Sequence, residues 1–329
     1  MGYDDNEMSK CSTGSVPSGN WNILYWLLGS ICLPVIMPLA LLNLWRRSLI
    51  AKARKDLPGK VVLITGASSG LGEALAHVFY KAGCKLLLAA RRLEELERVK
   101  NDLLSLEIVG VAYPPSVLQL DLAELNAIQQ FAEKAISIHC GIDILINNGG
   151  ISVRANVINT ALDVDLKIMT VNYFGSVALT KAILPSMVKR QTGHVCFISS
   201  VQGKFALPYR SAYSASKHAL QAFADSLRAE VANKSIKVTC VSPGYIKTQL
   251  SVNALTSTGQ IHGKMDKATA EGMTAEACAK RILTGILRGD KDLIICNAQT
   301  RIAYYLRFVC PSIYYWIMEN RASKLEKEE

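Results

Sequence analysis

The chain has no C-x-x-C pair. Its nine cysteines, among 329 residues, are odd in number and scattered, which excludes a disulfide framework and a zinc ribbon. Cys196, Cys240 and Cys296 lie in apolar, strand-like runs, where a free thiol packs as a small hydrophobe. There is no internal repeat and no low-complexity block. The formal net charge is +10, yet no basic stripe interleaved with aromatics runs through the body. The pattern of a nucleic-acid-binding surface is therefore missing. Charge is absent altogether from residues 21–45, "WNILYWLLGSICLPVIMPLALLNLW".

That uncharged stretch is long. At about 1.5 Å per residue, a helix of this length crosses a hydrocarbon core of about 30 Å. Trp and Tyr near its ends suit the two membrane interfaces. A cleaved signal peptide, the alternative, would have a shorter apolar region and a basic lead, whereas Asp4, Asp5 and Glu7 precede this one. Pro34 and Pro38 predict a kink, and a re-entrant hairpin stays open. The stretch reads as a single-pass transmembrane anchor over 21–45 behind an N-terminal tail, 1–20. A basic linker, 46–58, follows, with Arg46, Arg47, Lys52, Arg54 and Lys55 against Asp56. Basic flanks stay cytosolic. The expectation is an endoplasmic reticulum membrane protein with its main domain in the cytosol, a lumenal domain being the alternative.

Half of the residues are hydrophobic, enough for a sizeable core. Over 59–297 the pattern alternates. "KVVLIT", "KLLLAA", "VLQLD", "DILINN", "HVCFIS", "KVTCVS" and "DLIIC" read as strands, and helical spacings such as "GEALAHVFYKAG" separate most of them. Strands alternating with helices predict an α/β fold with a doubly wound parallel sheet. Continuous apolar strands fit a sheet covered on both faces. Residues 298–329 form a C-terminal amphipathic extension rich in Tyr, Ile and Leu. It reads either as a core-capping helix or as a segment at the membrane interface.

"TGASSGLG", residues 65–72, follows the first strand and opens the first helix of this region. Gly66 allows a tight turn, while Gly70 and Gly72 let a pyrophosphate and the helix approach closely. The helix N-terminus offers unpaired N–H groups to phosphates. The second strand ends "AARR". An acid there would hold the ribose 2′-hydroxyl of NAD; Ala90 and Arg91 stand there instead, and a guanidinium suits a 2′-phosphate. "YSASK" places Tyr213 and Lys217 at i and i+4 on one helix face.

Together with "NNGG" at 147–150, Asn172 in "VNYFG", Ser199–Ser200 and "SPGYIKT" at 242–248, these motifs resemble the short-chain dehydrogenase/reductase family, in the family's order. The uncharged N-terminal stretch and the overall length resemble its membrane-anchored member 7B subgroup. The resemblance implies a Rossmann-type fold with a seven-stranded sheet, usually in homodimers or homotetramers. It implies a catalytic set of Asn172, Ser200, Tyr213 and Lys217, with Ser200 on the substrate oxygen and Lys217 on the nicotinamide ribose. Asn172 and Lys217 would hold a proton-supplying water chain. For the cofactor it implies Gly66, Ser68, Ser69, Gly70, Leu71, Gly72, Arg91, Asp121, Asn148, Tyr213, Lys217, Ile246 and Thr248. Two positions depart from the family's pattern. Gly149 stands where Ala is usual, which predicts a slightly looser turn. Ser69 stands where NADP-preferring relatives often carry a basic residue, so the preference rests on Arg91.

The chemistry expected is hydride transfer between NADP(H), with NAD(H) also open, and a lipid-like alcohol or ketone. A Tyr phenol with its pKa near 10 needs a lysine ammonium one turn away to serve as acid and base. A tethered, cofactor-binding scaffold without turnover is the alternative. His218 points elsewhere around the helix and reads as structural. Lys204 reads as a solvated rim residue, and 249–273 as a mobile lid.

Overall fold

The computed structural model describes residues 20–108 and 110–327. Within its first helix, the side chains of residues 20–24, 27–28, 31–33, 35 and 46–47 lie outside that description, as does the expected tail up to residue 19. The chain divides into two compact units, residues 1–49 and 50–329.

The first helix, α1 (Asn20–Lys55), takes in Pro34 and Pro38 and runs on into the segment expected as a linker. Among the described residues no helix is long and apolar enough to cross a membrane, and many side chains of the expected 21–45 span lie outside them.

In the second unit the chain runs β1 (Val61–Thr65), α2 (Gly70–Lys81), β2 (Lys85–Ala90), α3 (Leu93–Leu104), β3 (Ser116–Gln119), α4 (Ile128–His139), β4 (Ile144–Asn147), α5 (Leu162–Met169), α6 (Gly175–Arg190), β5 (Gly193–Ile198), α7 (Ser211–Glu230) and β6 (Ile236–Pro243). A two-residue strand β7 (Ile246–Lys247), a short α8 (Lys267–Ala270) and a two-residue β8 (Met273–Thr274) follow. Then come α9 (Ala275–Arg288), β9 (Asp292–Ile295), α10 (Ala298–Val309) and α11 (Pro311–Glu326). Seven strands form one sheet in the order β3-β2-β1-β4-β5-β6-β9, with every neighbouring pair parallel. All seven apolar runs of the sequence are these strands.

The strands are apolar throughout because both faces are covered. Val62 and Ile64 of β1 pack with Leu75 and Phe79 of α2, Val99 of α3 and Ile282 of α9. Val61 and Leu63, pointing the other way, pack with Phe131 of α4, Ile183 of α6 and Leu220 of α7. The period of two thus divides one strand between two cores. Burying each large side chain contributes about 1.5–3 kcal/mol.

The chain winds outward from β1 to β3, then returns to β4 on β1's other side. The crevice at the carboxyl ends of β1 and β4 is where such sheets take a ligand.

Candidate active site

The glycine-rich turn leaves β1 at this crevice. Gly66 and Gly70 have φ of +65° and +58°, left-handed values that favour glycine. A Cβ at Gly72 would lie 2.1 Å from Gly66 O, so only glycine lets α2 pack this closely. Ser69 stands at the N-cap of α2 without a side-chain cap bond, which leaves the first N–H groups of the helix for an anion. Ser68 is buried and Leu71 belongs to the core, so Leu71 has only its main chain to offer a ligand. Thr248 meets the turn from the far side, since a Cβ at Gly70 would touch its Cβ and Cγ2 at 3.2 Å. Ile246 packs against the core beneath. Asp121 accepts a bond from Ala123 N at 2.9 Å. This uncapped helix end over a glycine cradle fits a dinucleotide pyrophosphate.

Asn148 ties the turn to β4: its Nδ2 donates to Thr65 O (2.9 Å) and Gly66 O (3.3 Å). The expectation of a looser turn at Gly149 is corrected. A Cβ there would lie 2.6 Å from Leu122 Cδ1, so Leu122 already fills the space of the usual methyl. On the 2′-phosphate side Arg91 is exposed, and it is Arg92 Nη2 that reaches Ser68 Oγ, at 3.4 Å.

The four catalytic candidates converge. Tyr213 and Lys217 sit on α7, with Lys217 Nζ 5.8 Å from the Tyr213 ring centroid. Ser200 follows β5 beside the Tyr213 phenol, whose ionised form it favours; its Oγ accepts from Gln202 N at 3.1 Å. Asn172 lies in a π turn (Thr170–Phe174) between α5 and α6, a device common at functional sites. It is fully buried. Its Oδ1 accepts from Ile151 N at 2.8 Å, and its Nδ2 donates to Ile151 O at 2.9 Å and Ser216 Oγ at 3.0 Å. A Cβ at Gly150 would lie 3.0 Å from Asn172 Oδ1 and 3.5 Å from Lys217 Nζ, so the two groups meet around that glycine.

The electrostatics differ from the simple lysine–phenol pairing. Lys217 Nζ donates to Ile198 O at 2.9 Å, and burial pulls its pKa down to about 8. Burial pushes the Tyr213 phenol up. The groups that oppose this are Ser200, by its hydrogen bond, and then the guanidiniums of Arg154 and Arg210. These two arginines escaped the sequence reading because neither belongs to a motif.

His218 is structural, its Nδ1 paired with Ser214 O at 2.8 Å. Lys204 is not a solvated rim residue; its side chain is 12% exposed and paired with Asp292 at 2.7 Å. Segment 249–273 is fastened rather than loose. Leu255 N donates to Ser152 O, Arg154 N donates to Leu255 O, both at 2.8 Å, and Asp266 takes Arg154 and Arg210. The C-terminal extension caps the core beside the site. Tyr314 is buried, donates to Ala206 O at 2.7 Å and stacks edge-on against Phe205. Arg321 Nη2 donates to the Tyr245 hydroxyl at 3.0 Å.

A parallel sheet of this order, with a glycine cradle at its switch point and a Ser–Tyr–Lys–Asn constellation beside it, defines a dinucleotide-dependent oxidoreductase. The family model for short chain dehydrogenases matches residues 60–258. A Drosophila melanogaster protein named dehydrogenase/reductase SDR family protein 7-like is 65% identical over 323 residues, covering 98% of each chain. A Mus musculus protein named dehydrogenase/reductase SDR family member 7B is 44% identical over 291 residues, 88% of this chain and 90% of the other. A short-chain dehydrogenase from Streptomyces avermitilis superposes with a TM-score of 0.65 at 26% identity, covering 80% of this chain and 99% of its own. The chain belongs to the short-chain dehydrogenase/reductase family, in its member 7B subgroup, and is an NAD(P)-dependent oxidoreductase acting on CH–OH and C=O groups.

Proposed function

We infer that the protein is a membrane-anchored enzyme that interconverts lipid-like secondary alcohols and ketones with NADP(H), Tyr213 serving as general acid and base. The observation that carries this reading is the buried cluster of Tyr213, Lys217 and Asn172, with Lys217 Nζ 5.8 Å from the Tyr213 ring centroid and both Lys217 Nζ and Asn172 Oδ1 against Gly150. The bound nicotinamide supplies or accepts the hydride. For reduction, the Tyr213 O–H donates its proton to the nascent alkoxide while the Ser200 hydroxyl holds that oxygen. In oxidation the same phenol oxygen takes the proton back. Lys217 and Asn172, close together around Gly150, pass protons between Tyr213 and solvent through water. Lys217 also holds the cofactor ribose. Gly66, Ser68, Ser69, Gly70 and Gly72 cradle the pyrophosphate, and Asp121 meets the adenine. Ile246 and Thr248 hold the carboxamide. Arg91 and Arg92 favour the 2′-phosphate.

The membrane reading is supported by residues 21–45, which carry no charge, within a helix whose described apolar side chains, Trp26, Ile36, Leu39, Leu41, Leu44 and Trp45, are exposed. A membrane address favours substrates that partition into lipid. The domain 59–297 with its extension 298–329 lies on the cytosolic side of the endoplasmic reticulum membrane, as a homodimer or homotetramer.

Tyr213→Phe tests the assignment. Turnover of NADPH with lipid ketones is expected to vanish, while NADPH affinity stays within a few-fold, because the phenol acts on substrate. Near-parental turnover would reject Tyr213 as the acid–base group.

A further inference from the structure

Asp266 lies far from Tyr213 in sequence but gathers the site's two extra cations. Its Oδ2 accepts from Arg154 Nε (2.9 Å), Arg154 Nη2 (2.6 Å) and Arg210 Nη2 (2.8 Å). The side chains of Arg210, Arg154 and Asp266 are 7%, 12% and 20% exposed. Three charge-assisted bonds thus converge on one carboxylate oxygen, with Arg210 buried and the other two half-buried. Each partner comes from a different part of the site. Arg154 follows the β4 "NNGG" turn and donates Nη1 to Ser152 Oγ at 2.7 Å. Arg210 stands immediately before α7, at its N-cap. Asp266 belongs to the segment between β7 and β8, and its N donates to Ser251 Oγ at 3.0 Å. That segment also lays Leu255 into one buried cluster with Val153, Val164, Ala212 and Tyr213.

We propose that Asp266 is a positioning residue that latches the 249–271 segment over Tyr213, and that its two arginine partners, in excess of it by one charge, set the electrostatic field at the phenol. The proposal rests on the reading of Tyr213 as the acid–base group. Lys217 gives one N–H to Ile198 O and, with its Nζ 5.8 Å from the Tyr213 ring centroid, is a third cationic neighbour that stays constant across the variants below. The other charged or titratable groups around the cluster are His262, Lys264, Tyr245 and Arg321. Arg154 and Arg210 both favour the Tyr213 phenolate. The carboxylate between them damps that effect. Removing the anion must therefore ease phenolate formation, and removing an arginine must oppose it.

The experiment uses the full-length chain and two readouts that need no substrate. The first is trypsin cleavage at Lys264 and Lys267. Asp266→Asn is expected to speed it at least fivefold, and Asp266→Glu to restore much of the protection. The second is the titration of Tyr213, followed by the ¹³Cζ signal of labelled tyrosine and assigned by its loss in Tyr213→Phe. The midpoint is expected to move down in Asp266→Asn and up in Arg154→Met, with Arg154→Lys returning toward the parent. Parental cleavage rates in Asp266→Asn overturn the latch. Midpoints that move together, stay put, or remain above pH 11 in every variant overturn the electrostatic role. Neither readout depends on turnover, so a fully active Tyr213→Phe would reject the catalytic assignment while leaving latch and field measurable.

Discussion

Arg92 shows how finely a single position decides. Arg91 follows directly after the second strand, at the point where a 2′-phosphate reader belongs, yet its neighbour's guanidinium reaches the hydroxyl of Ser68 in the glycine turn. A charge-assisted phosphate contact contributes about 1.5–3 kcal/mol, roughly tenfold or more in affinity. Arg91→Ala and Arg92→Ala are each expected to weaken NADPH selectively over NADH, by about that factor; parental affinity ratios in both variants would reject them as phosphate readers. His194 is a second single-residue lever. It is buried between β5 and β6, its Nε2 paired with Thr239 Oγ1 at 2.8 Å. Burial, then Lys237, holds its pKa down to about 4 from 6.5. The unfolded chain therefore binds more protons between pH 4 and 6.5, and stability falls as pH falls through that window. Urea unfolding should show a shallower pH slope for His194→Gln there; an unchanged slope would mean that His194 is not the group responsible. The buried thiols Cys84, Cys240 and Cys278, pushed up to about 12 by burial, stay protonated throughout.

Among elements, the C-terminal pair α10 and α11 has the least expected position. Composition left it divided between core cap and interfacial segment; Tyr314 docks on Phe205 and Ala206, while Tyr305, Phe308 and Trp316 on the same pair of helices are exposed. Phe205 lies shortly after Ser200, so the extension braces the loop that carries the hydroxyl proposed to hold the substrate oxygen. Truncating a large buried aromatic costs about 3–5 kcal/mol. Tyr314→Ala is expected to cut turnover at least tenfold while changing NADPH affinity little; equal losses in both would mean a general loss of fold. The seven strands were legible because their runs are short and apolar, most with β-branched residues, and the turn and "YSASK" because spacing alone carries their chemistry. The π turn at Asn172 was not, since its helical spacing is unbroken. Nor was the arginine–aspartate cluster, whose members share no periodicity and meet only when 249–273 folds back across Arg154.

At the scale of the whole molecule, the charge distribution bears on which side the main domain would face under the membrane anchoring proposed above. Basic residues crowd the segment after the uncharged stretch, and the cytosol retains such flanks. The chain carries its own reporter in "NKS", where Asn233 is exposed in a short turn between α7 and β6. Full-length protein made in microsomes should keep Asn233 bare and leave the main domain open to added protease. An endoglycosidase-sensitive shift or a protected domain would place it in the lumen instead. The docking of Tyr314 also has a consequence in time. At roughly 5–20 residues per second during synthesis, the glycine turn is made well before the aromatic that packs on the loop after Ser200. The nascent chain can thus pair most of its sheet before Tyr314 arrives to cover the loop at Phe205.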